Sequence, residues 1–435
     1  MNFKIICFSL LVSLPFFAQK KELSLNESVL QQYRGLAPDK MLGFSFIPGS
    51  NNYSYFEKYT SLFVGDLSNF TSKKVLEITE LNSILKTNLG YFSGFEWKDK
   101  TSFIVSDGHN YYLFDIEKKE GKLLAELDEK AENINRFNDL YAYTKDNNLY
   151  FFENGVEKAI TSNSDKNIVS GQHIARNEFG ISKGIFWSPN GKSIAFYQKD
   201  ESDVHNYPLL DIESVPGELV SIKYPMAGQS SEKPKIGIYN LEKNTTVFIS
   251  PKRKVDDYLT NLTWSPDGKY LVVVEINREQ NHLWVNVYDA VTGTFVRSLF
   301  DEKNEKWVEP ENPVFFPSSS SNNFVWISQR DGFNNLYYYD WSDKLIAQLT
   351  SNKFVTKSIV GTINNGKEIV FSATGESPLD FKYFAVTLKG KQREITKNPG
   401  THTIVIGQDG KYFFDEYSSQ PTFLSTVTPG KFPTC

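Results

Sequence analysis

IFWSPNGKSIAFY, residues 185–197, is echoed by LTWSPDGKYLVVVE, residues 262–275. Each is an apolar strand, a Trp-Ser-Pro-Asn/Asp-Gly-Lys turn and a second apolar strand. Proline fixes φ at the first corner, and Asn-Gly or Asp-Gly offers the positive φ that a tight hairpin requires. Each is followed by a third strand rich in aromatic residues that closes near Asp or Asn, KIGIYNL in one case and WVNVYDA in the other.

The same unit recurs with looser turns. Its other first halves are FSFIPGSNNYSYF, FEWKDKTSFIVS, NRFNDLYAYT, VFFPSSSSNNFVWIS, GTINNGKEIVFSA and VIGQDGKYFFDEY. The eight starts fall near residues 44, 95, 136, 185, 262, 314, 361 and 405. That spacing is the blade period of a β-propeller with four antiparallel strands per blade. The sequence therefore predicts an all-β, eight-bladed propeller over 44–435, the last blade breaking off after about three strands. The long step after residue 185 places an insertion at about 198–234, leaning over one face of the disc where propellers carry binding loops.

Composition agrees with strands. The chain has 435 residues with 34 Phe and 23 Tyr, and a net charge of −5 is spread without a basic tract or an acidic tail, which argues against nucleic acid as a partner. Residues 1–18 read as a secretory signal, with Lys4 as the positive region, Ile5 to Phe17 as the apolar stretch and Ala18-Gln19 as the cut. Export to a periplasmic or extracellular location follows, with no membrane association after cleavage. The lead-in over 19–43 holds a short amphipathic helix, since Leu25, Val29 and Leu30 recur at helical spacing before Pro38. The two cysteines, Cys7 and Cys435, leave the mature chain no internal disulfide and no Cys/His metal cluster, and no cofactor is expected.

Gly180-Ile181-Ser182-Lys183-Gly184 spells the G-x-S-x-G of a hydrolase nucleophile elbow. An elbow needs a strand-to-helix turn on a parallel sheet with an acid and a histidine downstream. Here Ser182 precedes a strand and no βαβ pattern follows, so no catalytic residue is assigned. Trp187, Trp264, Trp326 and Tyr337 read as packing between blades. Asp200, Glu201 and Asp203 read as solvated loop charges that could add negative potential to a cavity mouth.

RNEFGISKGIFWSPNGKSIAFYQKDESDV, YPMAGQSSEKPKIGIYNL, LTNLTWSPDGKYLVVVEINREQNHLWVNVYDAVTG and WISQRDGFNNLYYYD, in that order, carry a likeness over essentially the whole mature chain. They resemble the N-terminal propeller of the dipeptidyl peptidase IV branch of the prolyl oligopeptidase family, most closely the bacterial prolyl tripeptidyl peptidases. The resemblance implies a propeller seated over an α/β-hydrolase domain, with a glutamate motif that binds the free N-terminal amine of a peptide bearing proline near the scissile bond. The tripeptidyl form, Arg-x-Glu-Phe-Gly-Ile, is met by Arg176-Asn177-Glu178-Phe179-Gly180-Ile181. Glu178 and Arg176 are thus the implied residues for the substrate N-terminus. The Glu-Glu pair of dipeptidyl peptidase IV is not met, since Asn177 fills the neighbouring place. Without the resemblance, Glu178 reads as a solvated carboxylate paired with Arg176. The family's hydrolase motifs are absent, which implies a truncated peptidase that is inactive alone. The other reading is a stand-alone secreted propeller that binds peptides or proteins without catalysis.

Overall fold

A computed structural model describes residues 22–31, 40–252, 257–419 and the backbone of 428–431. The expected signal segment and cleavage site, and both cysteines, lie outside the described residues. The rest is almost wholly antiparallel β-sheet in meanders, in which each strand pairs with the next in sequence except in the fourth blade, where Ile168–Ser170 and Ile185–Trp187 both pair with Ser193–Asp200, and that strand pairs with Lys233–Asn240.

The WSPNGK and WSPDGK turns show how the chain makes these meanders. In both, only the glycine takes positive φ, Gly191 at +69° and Gly268 at +68°. The preceding Asn190 or Asp267 accepts the backbone N–H of Lys192 at 3.0 Å or Lys269 at 3.1 Å. The serine hydroxyl then accepts the N–H that starts the second strand, Ser193 N to Ser188 Oγ at 2.9 Å and Tyr270 N to Ser265 Oγ at 3.0 Å. Satisfying these turn donors with side chains fixes the register, so Trp187 faces Ile194 and Trp264 faces Leu271.

Among the described residues seven blades are counted, not eight, six of them with four strands or more and the sixth in order with three. The first is Leu42–Phe46, Asn52–Glu57, Ser61–Asp66 and Ser72–Glu77, and the seventh is Thr356–Ile363, Glu368–Ala373, Lys382–Thr387 and Gln392–Glu394. In the sixth, the first strand position is held only by the bridge between Phe315 and Val325. After the seventh comes a three-stranded sheet, Thr401–Ile406, Tyr412–Ser418 and Thr428–Lys431. Phe44 of the first blade stacks on Phe414 of this last sheet, centroids 3.8 Å apart, and Lys40 pairs with Glu416 at 2.7 Å. Among the described residues the ring closes by side-chain contact, with no strand exchanged between its ends.

Middle strands are buried on both faces, as in Ser102–Ser106 and Glu368–Ala373, while last strands such as Val156–Ala159 are exposed. First strands form the inner rim, and they are stitched laterally. Trp187 Nε1 donates to Asn135 O at 3.2 Å, Trp264 Nε1 to Phe186 O at 3.0 Å and Asn261 Nδ2 to Pro310 O at 2.6 Å. The tryptophans thus bridge neighbouring sheets through both ring and donor.

Two short helical segments stand outside the blades. Of the expected lead-in helix the described residues show one short helical stretch, α-type at 25–26 and π-type over Glu27–Gln31, closed by reciprocal Ser24–Glu27 bonds, with Leu25, Val29 and Leu30 all exposed; residues 32–39 lie outside the described ones. Conversely, an α-helix at Ile78–Leu85 joins the first two blades. Ile78 and Leu81 are buried there, Lys86 ends it in the left-handed region, and Asn82 ties down the following turn through Leu89.

Candidate functional site

The inner strand of the fourth blade is split. Ile168–Ser170 pairs with residues 198–200 of the second strand, and Ile185–Trp187 pairs with residues 194–196 of the same strand. Between the two halves, 171–184 leaves the sheet and returns. Tyr197 sits opposite the gap and bonds both rims, accepting from Gly171 N at 2.7 Å and donating to Gly184 O at 3.0 Å. The neck is this narrow because both rims are glycine. Gly171 has φ +79°, and a Cβ on Gly184 would lie 2.2 Å from Gln172 O.

The tip of this loop is Ala175–Gly180. Ala175, Arg176, Asn177 and Phe179 all hold positive φ, between 47° and 67°. Such a run is costly and survives only where surrounding contacts dictate it. Ala175 N donates to Glu232 Oε1 at 2.6 Å, and Glu232 is itself drawn to Lys199. Phe179 is buried, its ring 5.1 Å from that of Tyr258. Gly180 lies against the next loop so closely that a Cβ would fall 2.1 Å from Glu311 O.

Glu178 and Arg176 share this tip but do not pair. The Arg176 guanidinium hydrogen-bonds Lys223 O and stacks over Tyr224, 4.5 Å from its centroid. Both acceptors belong to the insertion, which spans 201–232 between Ser193–Asp200 and Lys233–Asn240 and carries a hairpin of Asn206–Asp211 and Glu218–Lys223. The Glu178 side chain is exposed and has no ion-pair or hydrogen-bond partner among the described residues. The pairing expected from sequence is therefore replaced: Arg176 orients the loop against the hairpin, and the carboxylate stays open.

The three acids beyond the fourth blade's second strand are engaged. Glu201 pairs with Lys199 at 2.8 Å, and Asp203 pairs with Lys233. Ser202 bonds to Asp200 and holds its carboxyl below the usual carboxylate range. Their potential is largely compensated locally. Ser182 is exposed and precedes an antiparallel strand, and no histidine contacts a serine hydroxyl among the described residues. Gly180 and Gly184 of the apparent elbow serve loop packing instead. Sequence reasoning missed the neck glycines, Tyr197 and the role of Glu232. The spacing Gly171–Gly184 was a visible signal, but only the register shows that it spans one gap in a strand.

No group of three or more His, Cys, Asp or Glu side chains is placed to hold a metal ion among the described residues, and no helix there is long and apolar enough to cross a membrane.

The family model described as the dipeptidyl peptidase IV (DPP IV) N-terminal region matches residues 95–423. A protein assigned as dipeptidyl-aminopeptidase B from Arthroderma gypseum is 27% identical over 387 residues, 80% of this chain and 41% of that protein. Its counterpart in Coccidioides posadasii is 27% identical over 366 residues, 73% and 40% of the two. A crystal structure assigned as a dipeptidyl aminopeptidase IV from Bacteroides ovatus superposes with a TM-score of 0.81 at 29% identity, covering 91% of this chain and 59% of that one. Dipeptidyl peptidase 4 of Porphyromonas gingivalis, at 20% identity and a TM-score of 0.77, is alike in fold. The chain spans about 40% of the length of these curated relatives.

Proposed function

Since the chain belongs to the dipeptidyl peptidase IV N-terminal-region family, we propose that it is the substrate-recognising propeller of an exported, prolyl-specific di- or tripeptidyl serine peptidase. In this reading the three-stranded sheet at Thr401–Lys431 is the eighth member of the ring. The observation that carries the reading is the open carboxylate of Glu178 at the tip of an over-determined inner-rim loop, with its neighbouring cation drawn away to Lys223 and Tyr224. An ammonium leaving water for a partly enclosed site needs a charge-assisted acceptor, and a carboxylate free of other partners supplies one. A rigid loop that holds the peptide amine also measures the distance to the bond cut by the hydrolase part. The single glutamate, with Asn177 beside it, favours tripeptide over dipeptide release. Among the described residues the propeller brings recognition and gating, and no Ser-His-acid unit.

The test is calorimetry of the full chain with Ala-Ala-Pro amide, alongside Xaa-Pro and Xaa-Xaa-Pro chromogenic substrates. Binding is expected without turnover, and Glu178→Gln should weaken it by about tenfold or more, the loss of one charge-assisted contact. Equal affinity in Glu178→Gln would remove the amine site. Turnover abolished by Ser182→Ala would replace the whole reading with an elbow enzyme.

A further inference from the structure

His402 is 1% exposed and lies in Thr401–Ile406, the first strand of the last sheet. Both of its ring nitrogens face oxygen atoms. Nδ1 is 2.9 and 3.0 Å from the two Asp415 carboxyl oxygens, and Nε2 is 2.9 Å from Asn398 O. A neutral imidazole has one N–H and one lone pair. Beside an ionised Asp415, either tautomer would aim that lone pair at a carbonyl or a carboxylate, in a ring position closed to bulk water. Only the imidazolium donates to both. Histidine is the stronger base of the two partners, so the proton belongs on the ring and not on Asp415.

The surrounding charges leave this pair to itself. Asp415 has no second cation among the described residues. Glu416 is taken by Lys40 at 2.7 Å, Lys382 by Glu394 at 2.7 Å, and Asp380 accepts the N–H of Gly400 at 2.9 Å. Lys397, beside Asn398, is exposed. Two tyrosines complete the setting. Tyr417 stacks on the imidazole with centroids 4.8 Å apart, and burial pushes the Tyr383 hydroxyl up, the Asp415 charge adding to it.

The three partners join segments that are apart in the chain. Asn398 belongs to the link from the seventh blade's last strand, Gln392–Glu394, into the last sheet. Asp415 belongs to Tyr412–Ser418, between Phe414, which stacks on Phe44, and Glu416, which pairs with Lys40. One ring therefore ties the incoming link to the strand whose neighbouring side chains close the propeller.

We propose that His402 is a proton-operated latch: as an imidazolium it holds Asn398 and Asp415 together, and loss of its proton loosens the closure of the ring. Charge-assisted bonds at both nitrogens stabilise the closed form. Release of the proton leaves a lone pair facing one of the two oxygens and frees the strand that carries Phe414 and Glu416. The folded chain keeps a proton that the unfolded chain has given up, so stability falls as pH rises. The contribution is complete below about pH 6.5, where a free imidazole is itself protonated, and is lost once the folded chain releases its proton. The latch is independent of the amine contact at Glu178.

The experiment is nitrogen-15 NMR of the full chain labelled at histidine, with urea unfolding over the same pH series. At about pH 8, where a free imidazole is neutral, His402 is expected to show two protonated ring nitrogens. Asp415→Asn keeps an acceptor but removes the charge, and in it His402 should be neutral at that pH. Above about pH 6.5 the folding equilibrium of the wild type should weaken by up to tenfold per pH unit relative to His402→Gln, the signature of one proton. That difference removes the contribution of His282, which pairs with Asp301 in the fifth blade at 2.7 Å. Hydrogen exchange, corrected for its intrinsic pH dependence, should then quicken in 398–418 and 42–46 together. If His402→Gln does not fold, the NMR of the wild type and Asp415→Asn decides. A neutral His402 ring at pH 8 in the wild type, or the same pH dependence in the wild type and His402→Gln, would overturn the proposal. Exchange that stays unchanged in 42–46 after the proton is lost would overturn the latch.

Discussion

Gly184 shows how much of this protein's function hangs on single positions. Its Cα stands where a methyl group would meet the Gln172 carbonyl at 2.2 Å, and that carbonyl is backbone within the same neck. Substitution must therefore open the neck or shift the strand half that carries Phe186 and Trp187. Gly184→Ala should cost about 1–3 kcal/mol, the range for overpacking that moves backbone, and should weaken binding of free-amine peptides. Urea unfolding and calorimetry of the variant check this, and wild-type stability with wild-type affinity would show that the neck does not position the loop. The same logic separates Glu178 from Arg176. One is an open carboxylate, and the other is a tether whose guanidinium is already occupied on the hairpin.

At the scale of elements, the regular parts were legible and the exceptions were not. Trp-Ser-Pro-Asn-Gly-Lys announces its turn because proline, an Asx acceptor and a positive-φ glycine each have one geometric use. Repetition of strand, turn and aromatic strand then gives the blades. In the lead-in, Leu25, Val29 and Leu30 lie on a short helical stretch and are exposed among the described residues. The helix at Ile78–Leu85 went unread although Ile78, Leu81 and Leu85 keep helical spacing, because a strand precedes it with no polar cap: its Ncap, Glu77, makes no capping bond. The split inner strand was hidden for a deeper reason. Local patterns report the conformation of a segment, whereas a strand interrupted for 171–184 and resumed in register is a statement about its partner, residues 193–200. The motif at Arg176–Ile181 could be located in sequence, yet the unpaired state of Glu178 depends on Tyr224 and Lys223, which lie over forty residues away.

For the whole molecule, the ring must close to keep the inner rim rigid, and it does so through side chains. Phe414 is 4% exposed and stacked on Phe44 at 3.8 Å. Phe414→Ala should cost about 3–5 kcal/mol, as for other buried aromatic truncations, and a loss in urea unfolding well below 1 kcal/mol would mean that closure does not rest on this contact. A closed ring gives the Glu178 loop a fixed seat, and the account stands on that loop as the place where a peptide amine is held. Hydrogen–deuterium exchange of the full chain with Ala-Ala-Pro amide reads this most directly. The account predicts slowed exchange concentrated in 173–184 with the free-amine peptide, and none with its N-acetyl form or in Glu178→Gln. Slowing that ignores both the acetyl group and the substitution, or that appears on the exposed hairpin at 206–223 while 173–184 is unaffected, would contradict it.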